Sequence, residues 1–251
     1  MNTSVATAIA SACLLAAVWI GMTLRRFLPE HHLSPDSRDT VKLAMGLLAT
    51  MSALLLGLLV NSAKTSYDTT RVQVMQKASK FALLDRLLVI YGPQAAEVRG
   101  QLLALIQEAA RRMWPGDADI PTQTQPKNQI GDAFYVALLR LEPRDDTERT
   151  LKAQAVSLTI EIGQLASLME AESTASISKP MLSVVVLWLV MIFLGFSLIA
   201  PPNTTSNLAL IASAMGTAGA IFLILELNHP FDGLMRIPGE PMLNVLRQLG
   251  K

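Results

Sequence analysis

Cysteine is nearly absent from this chain of 251 residues, whose single example is Cys13. One cysteine cannot form an intramolecular disulfide or a cysteine metal cluster. Cys13 lies within an apolar run, where a thiol acts as a small hydrophobic side chain. The composition therefore excludes a small disulfide-stabilised fold.

Charge is also scarce, since Asp, Glu, Lys and Arg make up 16% of the chain against roughly a quarter in soluble domains. Fourteen of the 21 basic and fourteen of the 20 acidic residues lie between residues 61 and 180. This asymmetry is typical of membrane segments around one aqueous domain. The net charge of +1 gives no support for nucleic-acid binding, which requires a concentrated basic patch.

Motifs of common catalytic sites are missing as well: the sequence has no Walker loop, GxSxG elbow, HExxH or CxxC. We therefore predict that the protein is not an enzyme and has no cofactor. His31 and His32 lie near Glu30 and Asp36. Adjacent side chains rarely converge on one ion, so we predict no metal site there.

Four apolar stretches contain no charged residue: 5–22, 44–60, 181–200 and 208–225. Each approaches the roughly 20 residues that a helix needs to cross a bilayer, and a spanning backbone must satisfy its own hydrogen bonds. The first lacks the positive n-region of a signal peptide, and Arg25 and Arg26 follow it as a flank. We predict four transmembrane helices.

The region between spans two and three is predicted to be helical. No proline interrupts residues 42–91, so the second span should continue as one helix to Gly92-Pro93. An amphipathic helix should follow, with Val98, Leu102, Leu105 and Ala109 on its apolar face, and further helices at 130–141, 145–172 and 241–249. The apolar stripe of the extended second helix comprises Val74, Ala78, Phe81, Leu84 and Leu88.

The expected architecture is all-α, because no stretch alternates with period two for long enough to predict a strand. Residues 1–60 hold the first two spans and 61–180 form a helical cytoplasmic domain. Residues 181–227 hold the last two spans, and 228–251 form a turn and a short helix.

One face of the second span is small and increasingly polar. Residues three and four apart share a helix face, and here they are Gly46, Thr50, Ala53, Gly57, Asn61 and Lys64. Such a stripe is typical of close helix packing. It is equally typical of a face that lines a water-filled path, because polar groups at membrane depth usually face protein or water. The sequence leaves both interpretations open.

The fourth span has small residues at similar spacing, which predicts a helix-packing face: Ala212, Gly216, Gly219 and Ala220. The span ends at Glu226, which we expect to hydrogen-bond the following turn; the alternative is an ion-sensing group at a pore mouth. The residues of this turn are Asn228, His229, Pro230, Phe231 and Asp232.

Four spans place both termini and residues 61–180 on one side of the membrane. Basic residues flank both sides and do not decide the orientation. The uncharged turn at 201–207 is easily translocated, so we predict cytoplasmic termini.

Three segments carry a family resemblance: residues 28–67 (LPEHHLSPDSRDTVKLAMGLLATMSALLLGLLVNSAKTSY), 83–99 (LLDRLLVIYGPQAAEVR) and 225–249 (LELNHPFDGLMRIPGEPMLNVLRQL). They resemble the bestrophin-like family of bacterial membrane proteins over nearly the whole chain, which implies a location in a bacterial inner (plasma) membrane. Four spans, a long second helix and Pro230-Phe231 after the last span also resemble bestrophin channels.

The resemblance implies a pentameric ion channel whose pore is lined by the second helix and its extension, with the bilayer, inorganic ions and copies of itself as partners. In eukaryotic bestrophins, a run of acids that binds calcium follows Pro-Phe. Here Asp232 alone precedes Gly233-Leu-Met-Arg236, and calcium needs six to eight oxygen ligands, so the resemblance does not extend to that site.

Two other functions fit four spans: a non-conducting scaffold or signalling protein, or a stator-like subunit of a proton-driven motor.

Overall fold

The computed structural model describes residues 3–27, 35–115, 129–174 and 179–249. The described residues form eight α-helices and no strand, which confirms the all-α prediction. In chain order the helices are α1 (Thr3–Leu24), α2 (Pro35–Tyr91), α3 (Ala96–Met113), α4 (Gln129–Arg140), α5 (Asp146–Thr174), α6 (Lys179–Ile199), α7 (Thr204–Leu227) and α8 (Glu240–Leu249).

Four of these helices are long and apolar enough to cross a membrane: Val5–Leu24, Asp39–Tyr91, Pro180–Ile199 and Thr204–Leu227. The prediction of four transmembrane helices is confirmed. The chain divides into two compact units. The membrane unit comprises Met1–Tyr67 and Ala175–Met235, and the helical unit comprises Asp68–Thr174 and Arg236–Lys251. Because α2 belongs to both, the predicted continuation of span two is also confirmed.

In the membrane unit, α1 packs against α6 and α7. A Cβ on Gly21 would meet the Ser197 side chain, and one on Gly195 would lie 2.6 Å from the Met45 sulfur. Small residues thus bring the helices close together, as in other membrane bundles. The buried core includes Leu14, Val18, Leu59, Val185, Phe193, Ile221 and Ile224.

The ends of the membrane helices are fixed by polar contacts. The Arg25 guanidinium donates to the carbonyl of Ala200 at 2.6 Å, which ties the end of α1 to the end of α6. Asn203 caps α7, because its side-chain oxygen accepts from the backbone N–H of Ser206 at 2.8 Å. Such a cap satisfies one of the free donors of a helix start.

In the helical unit, α2 buries the predicted stripe of Val74, Ala78, Phe81, Leu84 and Leu88. It ends at Tyr91, and the next residue, Gly92, has a φ of +107° that suits glycine. On α3 the predicted face is partly wrong: Val98 and Leu102 are buried, but Ile106 and Ala110 replace Leu105 and Ala109. The buried face of α3 packs against α4, so tertiary contacts rather than the apolar pattern alone select it.

The C-terminal helix α8 packs against α3. The indole N–H of buried Trp114 donates to the carbonyl of Ile237 at 2.9 Å, and Gly239 lies against the indole ring. This contact fixes the segment that precedes α8. Residues 116–128, which connect α3 to α4, lie outside the described residues.

Candidate functional site

The small, polar stripe that was predicted on span two lies on the outside of the membrane unit. Thr50, Ala53, Gly57, Asn61 and Lys64 are exposed, and Gly46 is half-buried. A Cβ on Gly46 or Gly57 would meet nothing within 4 Å. The stripe is therefore not a packing face for any other residue that the structure describes.

The core of the membrane unit uses another side of α2. Ser52, Leu59 and Ala63 are buried there, and Leu55 and Leu56 pack partly against the same core. At about 100° per residue, this side points away from the predicted stripe. The described part of the chain thus packs on one side of α2 and leaves the small, polar side uncovered.

A third side of α2 is bulky, apolar and exposed. Its members recur at three- and four-residue steps: Leu43, Leu47, Met51, Leu54 and Leu58. At about 100° per residue, this apolar flank borders the small, polar stripe. The sequence alone did not separate exposed Leu54 and Leu58 from buried Leu59, because all of them are leucines outside the stripe.

The two polar side chains of the stripe at membrane depth, Thr50 and Asn61, differ in whether they form a hydrogen bond. The Thr50 hydroxyl donates to the carbonyl of Gly46 at 3.0 Å, within the helix. Asn61 has no side-chain hydrogen bond to any residue that the structure describes. Burying an amide without a partner costs about 1–3 kcal/mol in proteins, so the Asn61 amide requires water or another chain.

The small residues of α7 are not packed against other described residues either. Ala212, Gly216 and Gly219 are exposed and Ala220 is half-buried, and a Cβ on either glycine would meet nothing within 4 Å. The buried side of α7 has Ala214, Ile221 and Ile224 instead. Packing of these small residues against another helix remains a prediction about contacts between copies.

Glu226, at the end of α7, is 3% exposed and bonds the following turn, as predicted. Its Oε1 accepts from the backbone N–H of Leu234 and from that of Met235, the latter at 3.2 Å. Gly233 has a φ of +91°, and a Cβ there would lie 2.9 Å from the Glu226 Cδ. Glycine is thus required on both conformational and steric grounds.

The other predicted turn residues surround this contact. Asn228 is the C-cap of α7. The backbone N–H of Asp232 donates to the carbonyl of His229 at 3.2 Å, and Pro230 and Phe231 are half-buried. Among the described residues, no group of three or more His, Cys, Asp or Glu could hold a metal ion. His31 and His32 lie outside the described part of the chain.

Comparisons with known proteins agree with this architecture. A family model described as a Bestrophin-like domain matches residues 12–242, whereas no curated protein matches. The crystal structure of a bacterial Bestrophin homolog from Klebsiella pneumoniae is 16% identical, with a TM-score of 0.67, and the match covers 94% of this chain and 96% of that one. A tryptophan-to-alanine variant of the homolog matches with 15% identity, a TM-score of 0.68, and coverage of 99% and 97%. At such identities the likeness establishes a shared fold.

Proposed function

Because the chain belongs to the Bestrophin-like family, we propose that it is a subunit of a homo-oligomeric ion channel with a pore lined by α2. The observation that carries the proposal is the uncovered stripe of Thr50, Ala53, Gly57 and Asn61 on a membrane helix. Lipid is a poor environment for a side-chain amide, and polar groups at membrane depth usually face protein or water. A ring of copies provides such a water-filled path along its axis.

The apolar flank beside the stripe supports the same arrangement. Helices that surround a pore have one side toward the axis and neighbouring sides toward other subunits. The exposed leucines at 47, 54 and 58 offer apolar surface for such contacts or for lipid. The resemblance to bestrophin channels implies a pentamer, and a pentamer is therefore the assembly that we propose.

Lys64 determines the proposed ion preference. It is exposed at the end of the stripe, so a symmetric assembly repeats its ammonium group in every subunit. Rings of charged side chains select ions in pores, and a lysine ring favours anions. Asp68 is also exposed and follows one helical turn later on the same face, which makes it the matched residue of opposite charge.

Purification without any partner protein, followed by bilayer recording, tests this function. We expect one oligomeric species by light scattering in mild detergent, and discrete currents after reconstitution. A monodisperse monomer in several detergents contradicts the proposal. An intact oligomer without current indicates a scaffold, and activity that depends on a partner with an acid in its own membrane helix indicates a motor stator.

A further inference from the structure

A buried lysine in the helical unit has no role in the proposed pore. Lys77 is 9% exposed and lies on the buried side of α2. The predicted apolar span on α2 ends at residue 60, and Lys77 lies about 25 Å further along the helix at 1.5 Å per residue. Lys77 therefore lies outside the bilayer, within the charged part of the chain.

The carboxylates on the helices that pack around this part of α2 are already engaged. On α5, Glu172 accepts from the Gln73 amide at 2.7 Å, and Glu161 forms an ion pair with Lys80. On α3, Glu108 forms ion pairs with Arg111 and Arg112, and Asp85 of α2 is paired with Arg99. Lys77 makes no hydrogen bond or ion pair with any described residue.

The surroundings of Lys77 disfavour its charged form. The buried side-chain oxygen of Gln73, one helical turn earlier, has no partner, so it does not stabilise the ammonium by a hydrogen bond. Arg112 adds a second positive charge from α3. Burial, and then the charge of Arg112, lower the pKa of Lys77 from its ordinary value of 10.5, because both raise the free energy of the ammonium relative to the amine.

We propose that Lys77 is a proton switch in the helical unit: its protonated form loosens the packing of α2 against α3 and α5, and its neutral form tightens it. The sign follows from proton linkage. Between the lowered pKa and 10.5, the unfolded chain binds more protons than the folded chain, so stability rises with pH. Below this window the folded state has the full cost of a buried charge.

Thermal unfolding of the full-length protein in detergent, measured from pH 6 to 11, tests the switch without requiring conduction. We expect Lys77→Met to melt about 2–4 °C above wild type at pH 6 to 7. Methionine removes the buried charge and keeps a side chain of similar length. The difference should shrink as the pH approaches 10.5. Lys77→Arg has a permanent charge and should melt below wild type, increasingly so as the pH rises.

Lys80→Met is the matched control, because Lys80 lies on the same helix and is paired with Glu161. It should not raise the melting temperature at any pH. A Lys77→Met variant that is no more stable than wild type, or whose advantage is constant across the pH range, overturns the proposal. If Lys77→Met fails to fold while Lys77→Arg folds normally, a cation is required at this position. That result also overturns the proposal.

Discussion

Gly233 and Glu226 fix the chain where it leaves the last membrane helix. The carboxylate accepts two backbone hydrogen bonds, and a hydrogen bond to a charged group contributes about 1.5–3 kcal/mol. The sequence predicted this bond from an acid directly before a turn. It could not predict which backbone amides would donate, because that depends on the positive φ at Gly233.

Replacement of Gly233 by alanine should destabilise this turn. Alanine at this position would have to adopt a left-handed φ, and its Cβ would collide with the Glu226 carboxylate. The left-handed backbone costs about 1–3 kcal/mol. We expect a lower melting temperature and faster proteolysis between residues 228 and 239. Gly100→Ala is the control, since its Cβ would meet nothing within 4 Å, and alanine favours a helix interior over glycine. Equal behaviour of the two variants would contradict this role of Gly233.

Helix α2 shows what periodicity can and cannot predict about an element. The absence of proline from 42 to 91 predicted one continuous helix, and the structure has it from Pro35 to Tyr91. Periodicity also shows which residues share a face, but not which face packs inward. That choice depends on the shapes of α1, α6 and α7, so the exposure of the stripe and of the apolar flank became visible only in the structure.

Gly57→Leu tests whether this face of α2 lines a pore. The site is open within one chain, so the leucine should leave the protomer folded and narrow the path at the axis. We expect an oligomer of normal mass with strongly reduced current. If the stripe is instead a packing face between copies, Gly57→Leu should break the oligomer. Ser62→Leu, which adds bulk on another exposed side of α2, should leave the current unchanged.

At the scale of the whole molecule, the sequence predicted the four spans, because charge-free apolar runs of about 20 residues are typical of helices that cross a bilayer. It did not decide the membrane orientation, since basic residues flank both sides. It also could not predict the pairing of polar side chains in the helical unit, which brings together residues as distant as Gln73 and Glu172.

Cysteine labelling in intact cells tests the proposed orientation. In a Cys13→Ser background, Thr204→Cys at the exposed start of α7 should react with a membrane-impermeant reagent. Ser157→Cys, exposed on α5, should react only after the cells are opened. The opposite pattern would place the helical unit outside the cytoplasm while leaving the four spans unchanged.

The most direct test of the central claim is the reversal potential of Lys64→Glu channels in a planar bilayer under a KCl gradient. Wild type should favour chloride, and Lys64→Glu should shift the reversal potential toward that of potassium. Asp68→Asn should shift it the other way. Both shifts should be larger at about 0.1 M than at 1 M salt, because the Debye length falls from about 10 Å to 3 Å. An intact, conducting Lys64→Glu oligomer with an unchanged reversal potential at low salt would contradict a pore lined by this face of α2.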